Sequence, residues 1–144
     1  TFGPTGPYFY LLDQDEMTSI HDLEIKLWVN DELRQSANTN QLLFKPAETL
    51  VELSEIMDLS KGDLIVTGTT GGVAMNLAAE EMSTVSNLTT PYDEKVKVML
   101  ESQSKLSNYL KDGDVIRCNI KSADGTIDLG EQVNKVVPSK VTVS

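Results

Sequence analysis

Threonines and glycines are interleaved in a short segment, residues 67–72, directly after an apolar run at Leu64–Val66. Glycine lets a ligand approach the backbone closely and presents free N–H groups. Threonine hydroxyls both donate and accept hydrogen bonds, so Thr67, Thr69 and Thr70 could grip a carboxylate or an enolate. The segment lacks the lysine of a Walker-type phosphate loop and the spacing of a dinucleotide fingerprint. It predicts either a binding loop for a small acid or a tight connection that leaves a buried strand.

The other chemically capable side chains form no recognisable site. Asp13, Asp15 and Glu16 lack the glycine and distal glutamate of a calcium loop, so we interpret them as solvated charges. The single histidine, His21, has no serine or cysteine partner in a recognisable setting and is interpreted as a surface residue. Cys118 falls on a predicted strand and is interpreted as a small buried hydrophobe rather than a nucleophile. One cysteine and one histidine exclude an intrachain disulfide and a multi-cysteine zinc site, so any metal would need oxygen ligands.

The charge balance argues against two classes of partner. Among 144 residues, 12 Lys and Arg stand against 22 Asp and Glu, which gives a formal charge of −10. Nucleic acids and anionic membrane surfaces both attract clustered positive charge, so neither is expected as a partner. No run of residues has the length of an apolar membrane span. Because neither a disulfide nor a secretion signal is visible, we expect a reducing, cytoplasmic location.

Strands are predicted on both sides of the threonine segment. Leu23–Val29 alternates between apolar and polar residues, which is typical of a half-buried strand. Asn30-Asp31 suits a tight hairpin turn, and the returning strand is expected from Leu33 to about Ala37. Further strands are predicted at Tyr8–Leu12, Leu64–Val66, Val115–Ile120 and Gln132–Val137, with a hairpin turn at 123–126 between the last two.

Helices are predicted at Pro46–Met57 and Asp93–Leu110, since each has an acidic residue in its first turn and apolar residues at helical spacing. The Ala-, Glu- and Met-rich stretch 75–82 is a third candidate. Two similar turns, Ser60–Asp63 and Lys111–Asp114, each place a glycine before an aspartate. This repetition predicts a recurring local geometry in which the glycine adopts a left-handed backbone.

Four segments follow one another in the order found in a known family. They are Phe2–Pro7; Leu27–Gln35 with Asn38-Thr39; Leu53–Leu59 with Gly62–Thr69; and Gly113–Ile116 with Asn134–Val137. In this order the chain resembles the C-terminal catalytic domain of the fumarylacetoacetate hydrolase family. The likeness is good over residues 1–74 and looser over residues 110–137.

The resemblance implies a fold, a chemistry and a partner. The fold would be α+β and mainly β, a mixed β-sandwich roll with peripheral helices, of which residues 1–144 form a part. Members of the family use a divalent cation, commonly Mg²⁺ or Mn²⁺, to hydrolyse, decarboxylate or isomerise 2-oxo acids and β-diketo acids. A hard cation would chelate the oxo-carboxylate and stabilise the developing enolate. A homodimer is expected.

The resemblance also implies a role for the loop threonine. We place that residue at Thr69 and expect it to bind substrate together with Gly68, Thr70 and Gly71. The family carries its metal ligands (two Glu and one Asp) and a substrate-binding Lys upstream of the segment that begins here at Thr1. We therefore expect the Mg²⁺ or Mn²⁺ ligands in a preceding part and assign no metal ligand and no catalytic residue to this chain, which should be inactive alone.

Two departures from the family pattern leave alternatives open. Thr70 stands where the family usually has proline, and Ala74 where it has glycine, which loosens the loop. Residues 75–109 form an apparent insertion, interpreted as a lid or a partner-binding element whose deletion should alter turnover or oligomer size. The chain is either part of a metal-dependent enzyme or a non-catalytic scaffold or regulatory partner built on the same fold.

Overall fold

An antiparallel sheet of four strands organises the part of the chain that the computed structural model describes, residues 3–138. The strands are β1 (Leu23–Val29), β2 (Glu32–Asn38), β3 (Val115–Ser122) and β4 (Asp128–Lys135), in the order β2-β1-β3-β4. The α-helices are α1 (Pro46–Ser54), α2 (Ala79–Ser86) and α3 (Tyr92–Ser104), and short 3₁₀ helices span Met17–His21 and Thr39–Gln41. The α+β class expected from the resemblance is confirmed.

The β1–β2 hairpin forms where the alternating pattern predicts it. Asn30 and Asp31 have φ values of 49° and 68°. Positive φ at both central residues is the backbone that a two-residue turn needs to match the twist of the flanking strands. The pairing slips once, between Leu27 and Trp28, and the additional residue on β2 is Arg34. Such a bulge bends the strand and redirects the side chains beside it.

One face of the sheet is apolar because the alternation of β1 meets a matching alternation on β3. Ile25 pairs with Ile120, and Val29 pairs with Ile116. Residues directly opposite each other share a face, so these side chains form one apolar stripe across the two central strands. Val29 is buried. Ile25, in this stripe, lines the same cleft as the threonine segment.

The β3–β4 hairpin closes through the predicted Asp-Gly turn. The Asp124 carboxylate accepts hydrogen bonds from the Ser122 hydroxyl at 2.6 Å and from the Thr126 backbone N–H at 3.1 Å. Ile127 is buried beside this turn. Strand β4 begins at Asp128, four residues before the predicted Gln132, because pairing with β3 starts directly after the turn.

Each predicted helix exists, with shifted ends. Helix α1 begins at Pro46, as predicted, and the Lys45 backbone N–H donates to the Glu48 carboxylate at 2.7 Å. It ends at Ser54 rather than Met57, and Ile56 is 80% exposed. The apolar periodicity continues past the helix, so periodicity alone placed its end too late.

The two Gly-Asp turns share one geometry, as predicted. The Ser60 and Lys111 backbone N–H groups each donate to the aspartate carboxylate three residues later, both at 2.7 Å. Gly62 and Gly113 have φ values of 98° and 95°. The positive φ explains why glycine occupies both positions, since a side chain would be strained there.

Two predicted strands are wrong among the described residues. Leu64–Val66 is irregular, and Leu64 and Val66 are 71% and 79% exposed. A short apolar run becomes a strand only where neighbouring strands pair with it, and the described sheet offers it no partner. Tyr8–Leu12 is also irregular. Its backbone pairs with no described strand, and the Tyr8 ring lies against Gly130 of β4. The turn-rich start falls partly outside the described residues.

The described residues divide into two compact units. Residues 3–72 and 115–135 form the first, which contains the sheet, and residues 73–114 with 136–138 form the second. In the second unit, α2 and α3 pack together, and the buried Ser102 hydroxyl donates to the Glu81 carboxylate at 2.8 Å. The insertion proposed for residues 75–109 falls in this unit and stays a prediction. Within residues 3–138, every helix is too short or too polar to cross a bilayer.

Candidate functional site

The threonine segment is an open loop that lines a cleft. Gly68 and Gly72 have φ values of 117° and 95°, so the chain turns sharply at both. The Thr69 side chain is exposed rather than packed into the interior, and Thr70 is half-buried. Thr69 therefore presents its hydroxyl where a ligand can reach it.

The cleft has a volume of about 380 Å³. Residues 67–71 form one wall, and Ile25 and Ala37, a cross-strand pair on the apolar face of the sheet, form the floor. Residues 38, 39 and 41–43, which continue from β2 through the second 3₁₀ helix, form the opposite wall. The predicted substrate residues Gly68, Thr69, Thr70 and Gly71 are thus brought together at one cleft.

Hydrogen bonds hold the opposite wall of the cleft in place. The Asn38 side chain accepts from the Asn40 backbone N–H and donates to the Asp22 carboxylate, both at 2.8 Å. The Thr39 hydroxyl accepts from the Leu23 backbone N–H at 2.8 Å. From the sequence, Asn38-Thr39 stands out only as part of the family resemblance. The only sequence signal for this wall is that polar residues follow the end of a strand. Such a pattern does not indicate which loop lies opposite them in the fold.

Gln35 is the residue that sequence reasoning missed. Its side-chain Nε2 donates to the Thr70 carbonyl at 2.8 Å and lies 3.3 Å from the Thr69 hydroxyl and 3.4 Å from the Gly71 carbonyl. These contacts join strand β2 to the loop across more than thirty residues of chain. Nothing in local spacing could have predicted them.

The cleft is lined by neutral groups. Those of residues 3–138 that line it offer hydroxyl, amide, backbone and aliphatic groups, and none of these lining residues has an ionisable side chain. Hydroxyl and N–H donors can hold a carboxylate, and the aliphatic floor can cover a short carbon chain. None of these groups is a general base near neutral pH, so the arrangement could bind and orient an acid but offers no group to move its protons.

The described residues do not fit a divalent cation. Within residues 3–138, no three His, Cys, Asp or Glu side chains cluster as an ion would require. The acidic group near the start is engaged locally, because Glu16 accepts hydrogen bonds from the Asp13 backbone N–H and the Tyr10 hydroxyl. The bond from Tyr10 to this carboxylate raises the pKa of the phenol.

Cys118 and His21 lie away from the cleft lining. The Cys118 thiol is half-buried in β3 and contacts the Gln132 side-chain oxygen at 3.4 Å. Burial, and secondly the Glu131 charge, raise the pKa of this thiol, which keeps it protonated and unreactive. His21 ends the first 3₁₀ helix and is half-buried rather than fully exposed, unlike the surface position predicted for it.

A larger hollow of about 780 Å³ lies on the surface of α1. Phe44, residues 47–49 and residues 51–53 line it, so helix α1 and the segment just before it supply its walls. Phe44 and Val51 are exposed there. The lining of the hollow includes the Glu48 and Glu52 carboxylates, which would repel an acid, whereas the smaller cleft at the threonine loop is lined by neutral groups. The loop is therefore the better candidate for binding an acid.

One protein family matches nearly the whole chain. The family described as "Fumarylacetoacetate (FAA) hydrolase C-terminal" matches residues 1–137. The chain belongs to this family. The resemblance stated from four short segments is thereby confirmed over almost the whole chain.

Curated relatives include enzymes named for a small oxo-acid. The chain is 34% identical over 137 residues to the bovine oxaloacetate tautomerase FAHD2B, mitochondrial, covering 95% of this chain and 32% of that protein. It is 31% identical over 137 residues to the human oxaloacetate tautomerase FAHD2A, mitochondrial, with 95% and 32% covered. The chain therefore spans about a third of the length of these relatives.

Solved structures share the fold. A maleylpyruvate hydrolase from Sphingobium sp. SYK-6 superposes with a TM-score of 0.54 at 29% identity, covering 88% of this chain and 32% of that one. A fumarylacetoacetate hydrolase family protein from yeast, ynq8, superposes with a TM-score of 0.57 at 20% identity, covering 92% and 43%. The yeast structure supports the fold alone.

Proposed function

We propose that this chain supplies the threonine-loop wall of the substrate pocket in a divalent-metal-dependent enzyme that acts on 2-oxo acids or β-diketo acids. The reaction would be C–C bond hydrolysis, decarboxylation or isomerisation through a metal-stabilised enolate. The observation that carries the proposal is the exposed Thr69 side chain at a cleft whose lining is neutral and donor-rich. Two relatives are named for oxaloacetate and maleylpyruvate, which both contain a 2-oxo-carboxylate.

In this proposal the loop binds one carboxylate of the substrate. The Thr69 hydroxyl and the backbone N–H groups of residues 68–71 are the donors, and glycine at 68 and 71 lets the ligand approach the backbone. Ile25 and Ala37 cover the carbon chain. Mg²⁺ or Mn²⁺ and the proton-transferring groups belong to the complete protein and lie outside the described residues.

The proposal is tested by substitution at Thr69 in the complete protein. With Mg²⁺ present, tautomerisation and decarboxylation of oxaloacetate and hydrolysis of maleylpyruvate are assayed for wild type, Thr69→Ala and Thr69→Ser. A hydrogen bond to a charged group contributes roughly 1.5–3 kcal/mol, so Thr69→Ala should lower kcat/KM about 10- to 150-fold. Thr69→Ser keeps the hydroxyl and should stay close to wild type.

The same assays separate the enzyme from the alternative. Wild-type kinetics in Thr69→Ala would contradict the role of the loop. A complete protein that turns over none of these acids with Mg²⁺ or Mn²⁺ would favour the scaffold or regulatory partner.

Two further features belong to this proposal. We expect the complete protein to be a homodimer, to be measured by light scattering coupled to size exclusion. A cytoplasmic location also stays a prediction, and fractionation of cells that produce the complete protein would check it.

A further inference from the structure

The side-chain amide of Gln35 meets three consecutive residues of the substrate loop. Its Nε2 lies 2.8 Å from the Thr70 carbonyl, 3.4 Å from the Gly71 carbonyl and 3.3 Å from the Thr69 hydroxyl oxygen. Carbonyl oxygens only accept hydrogen bonds, so the atom facing them has to be the nitrogen that donates. The orientation of the amide is therefore determined by its partners.

This orientation constrains the Thr69 hydroxyl. An amide nitrogen in Gln35 has no acceptor capacity, so the Thr69 oxygen can only accept in that contact. The hydroxyl proton is then directed to another acceptor. In the proposed function that acceptor is the substrate carboxylate, to which a prearranged donor binds at a lower cost in conformational entropy.

The backbone of β2 holds the other end of the loop. Gly72 lies so close to the Arg34 carbonyl that a Cβ at Gly72 would collide with it. Arg34 is the additional residue of the bulge. The next residue, Gln35, pairs with Leu27, and the two side chains lie on the same face of the sheet. The bulge therefore brings two successive residues of β2 against the loop, one through its carbonyl and one through its side chain.

We propose that Gln35 is a positioning residue for substrate binding, which acts through the Thr69 hydroxyl and the Thr70–Gly71 backbone. This inference rests on the proposed function, because it assigns Gln35 a role in the same pocket. In this role Gln35 does not itself contact the substrate. Its loss should weaken binding by freeing the loop rather than by removing a contact to the ligand.

The first test is independent of activity. Hydrogen exchange of the loop peptide covering residues 67–72 is measured by mass spectrometry in the complete protein for wild type, Gln35→Leu and Gln35→Glu. Gln35→Leu removes the donor, and Gln35→Glu sets a carboxylate against two carbonyls. Exchange in the loop should become faster in both, while Gln14→Leu, at an exposed glutamine, should leave it unchanged. Unchanged exchange in the Gln35 variants overturns the inference whatever the activity.

The second test measures coupling to Thr69. From the usual net contribution of a hydrogen bond, we expect loss of the Gln35 donor in Gln35→Leu to raise KM about 3- to 10-fold and to affect kcat less. If Gln35 acts through Thr69, Gln35→Leu should cost less in a Thr69→Ala background than in wild type. Equal costs in the two backgrounds would show that Gln35 does not act through Thr69 and would overturn the inference.

Protonation offers a rescue that general misfolding would not show. A protonated glutamate is a donor again, so the KM defect of Gln35→Glu should shrink as the pH falls toward the carboxyl pKa, whereas that of Gln35→Leu should not. If the KM defect of Gln35→Glu is as independent of pH as that of Gln35→Leu, the donor role of Gln35 is contradicted. If Thr69→Ala behaves as wild type, the proposed function fails, and the exchange result still decides whether Gln35 holds the loop.

Discussion

At the scale of single residues, the hydrogen bonds around Asp124 lower the pKa of its carboxyl group. Its carboxylate accepts from the Ser122 hydroxyl at 2.6 Å, from the Thr126 backbone N–H at 3.1 Å and from the Thr126 hydroxyl at 2.8 Å. These bonds favour the charged form and lower the pKa of Asp124 from 3.8 to about 2. The charge is thereby linked to the closed hairpin turn.

This linkage predicts a pH dependence of stability. Because the folded-state pKa is depressed, the contribution of Asp124 is fully present above pH 3.8 and is lost as the pH falls toward about 2. Thermal unfolding of wild type and Asp124→Asn is compared from pH 6 to pH 2. Asp124→Asn cannot titrate, so the Tm gap between the two proteins should narrow across that window. A gap that is constant down to pH 2 would contradict the linkage.

At the scale of elements, the β1–β2 hairpin and the substrate loop form one assembly. The bulge at Arg34 places its carbonyl where only a glycine fits, at Gly72. The positive φ of Gly72, 95°, adds a second requirement for glycine. Its neighbour Gly71 has open space around its Cα and no positive φ. The two adjacent glycines therefore differ in what they tolerate.

Substitution of these glycines by alanine should separate them. Gly72→Ala should cost at least ~2 kcal/mol, because strained backbone alone costs about 1–3 kcal/mol and the collision with Arg34 adds to it. Gly71→Ala should lie within about 0.5–1 kcal/mol of wild type, on the stabilising side if the unfolded chain loses entropy. Chemical denaturation measures both free energies of unfolding. Similar values for the two variants would show that the loop does not lie against β2.

At the scale of the whole molecule, apolar surface is abundant and the core is small. Among residues 3–138, the buried hydrophobic residues are Val29 and Ile127. Phe9, Leu43 and Leu88 are at least 85% exposed. Single exposed apolar residues are ordinary, but because so many lie beside so small a core, we expect these surfaces to associate.

We therefore predict that residues 1–144 expressed alone will bind the dye ANS and self-associate. Light scattering should give a mass above the 15.8 kDa of one chain. The complete protein should bind less dye per chain, because its further contacts cover apolar surface. A monodisperse 15.8 kDa species without dye binding would contradict this expectation.

Local chemistry was sufficient to predict several elements. The alternation of Leu23–Val29 predicts strand β1, and Asn30-Asp31 predicts the turn that follows it. Both predictions are correct because the strand's alternating pattern and the turn's positive φ each depend on residues that are adjacent in the sequence. The twin Gly-Asp turns follow for the same reason. The donor character of Thr69 and its neighbours also follows from residue types, and the structure brings them to a cleft, although their role in binding substrate stays a prediction.

Only the tertiary structure decided the rest. Leu64–Val66 has the composition of a buried strand, yet strand formation depends on partners that sequence spacing does not specify. Gln35 carried no signal of its own, because its importance comes from carbonyls 35 and 36 positions away that folding brings to its amide. Short-range order thus follows from the sequence alone, whereas contacts that close long loops follow from packing, which no local pattern encodes.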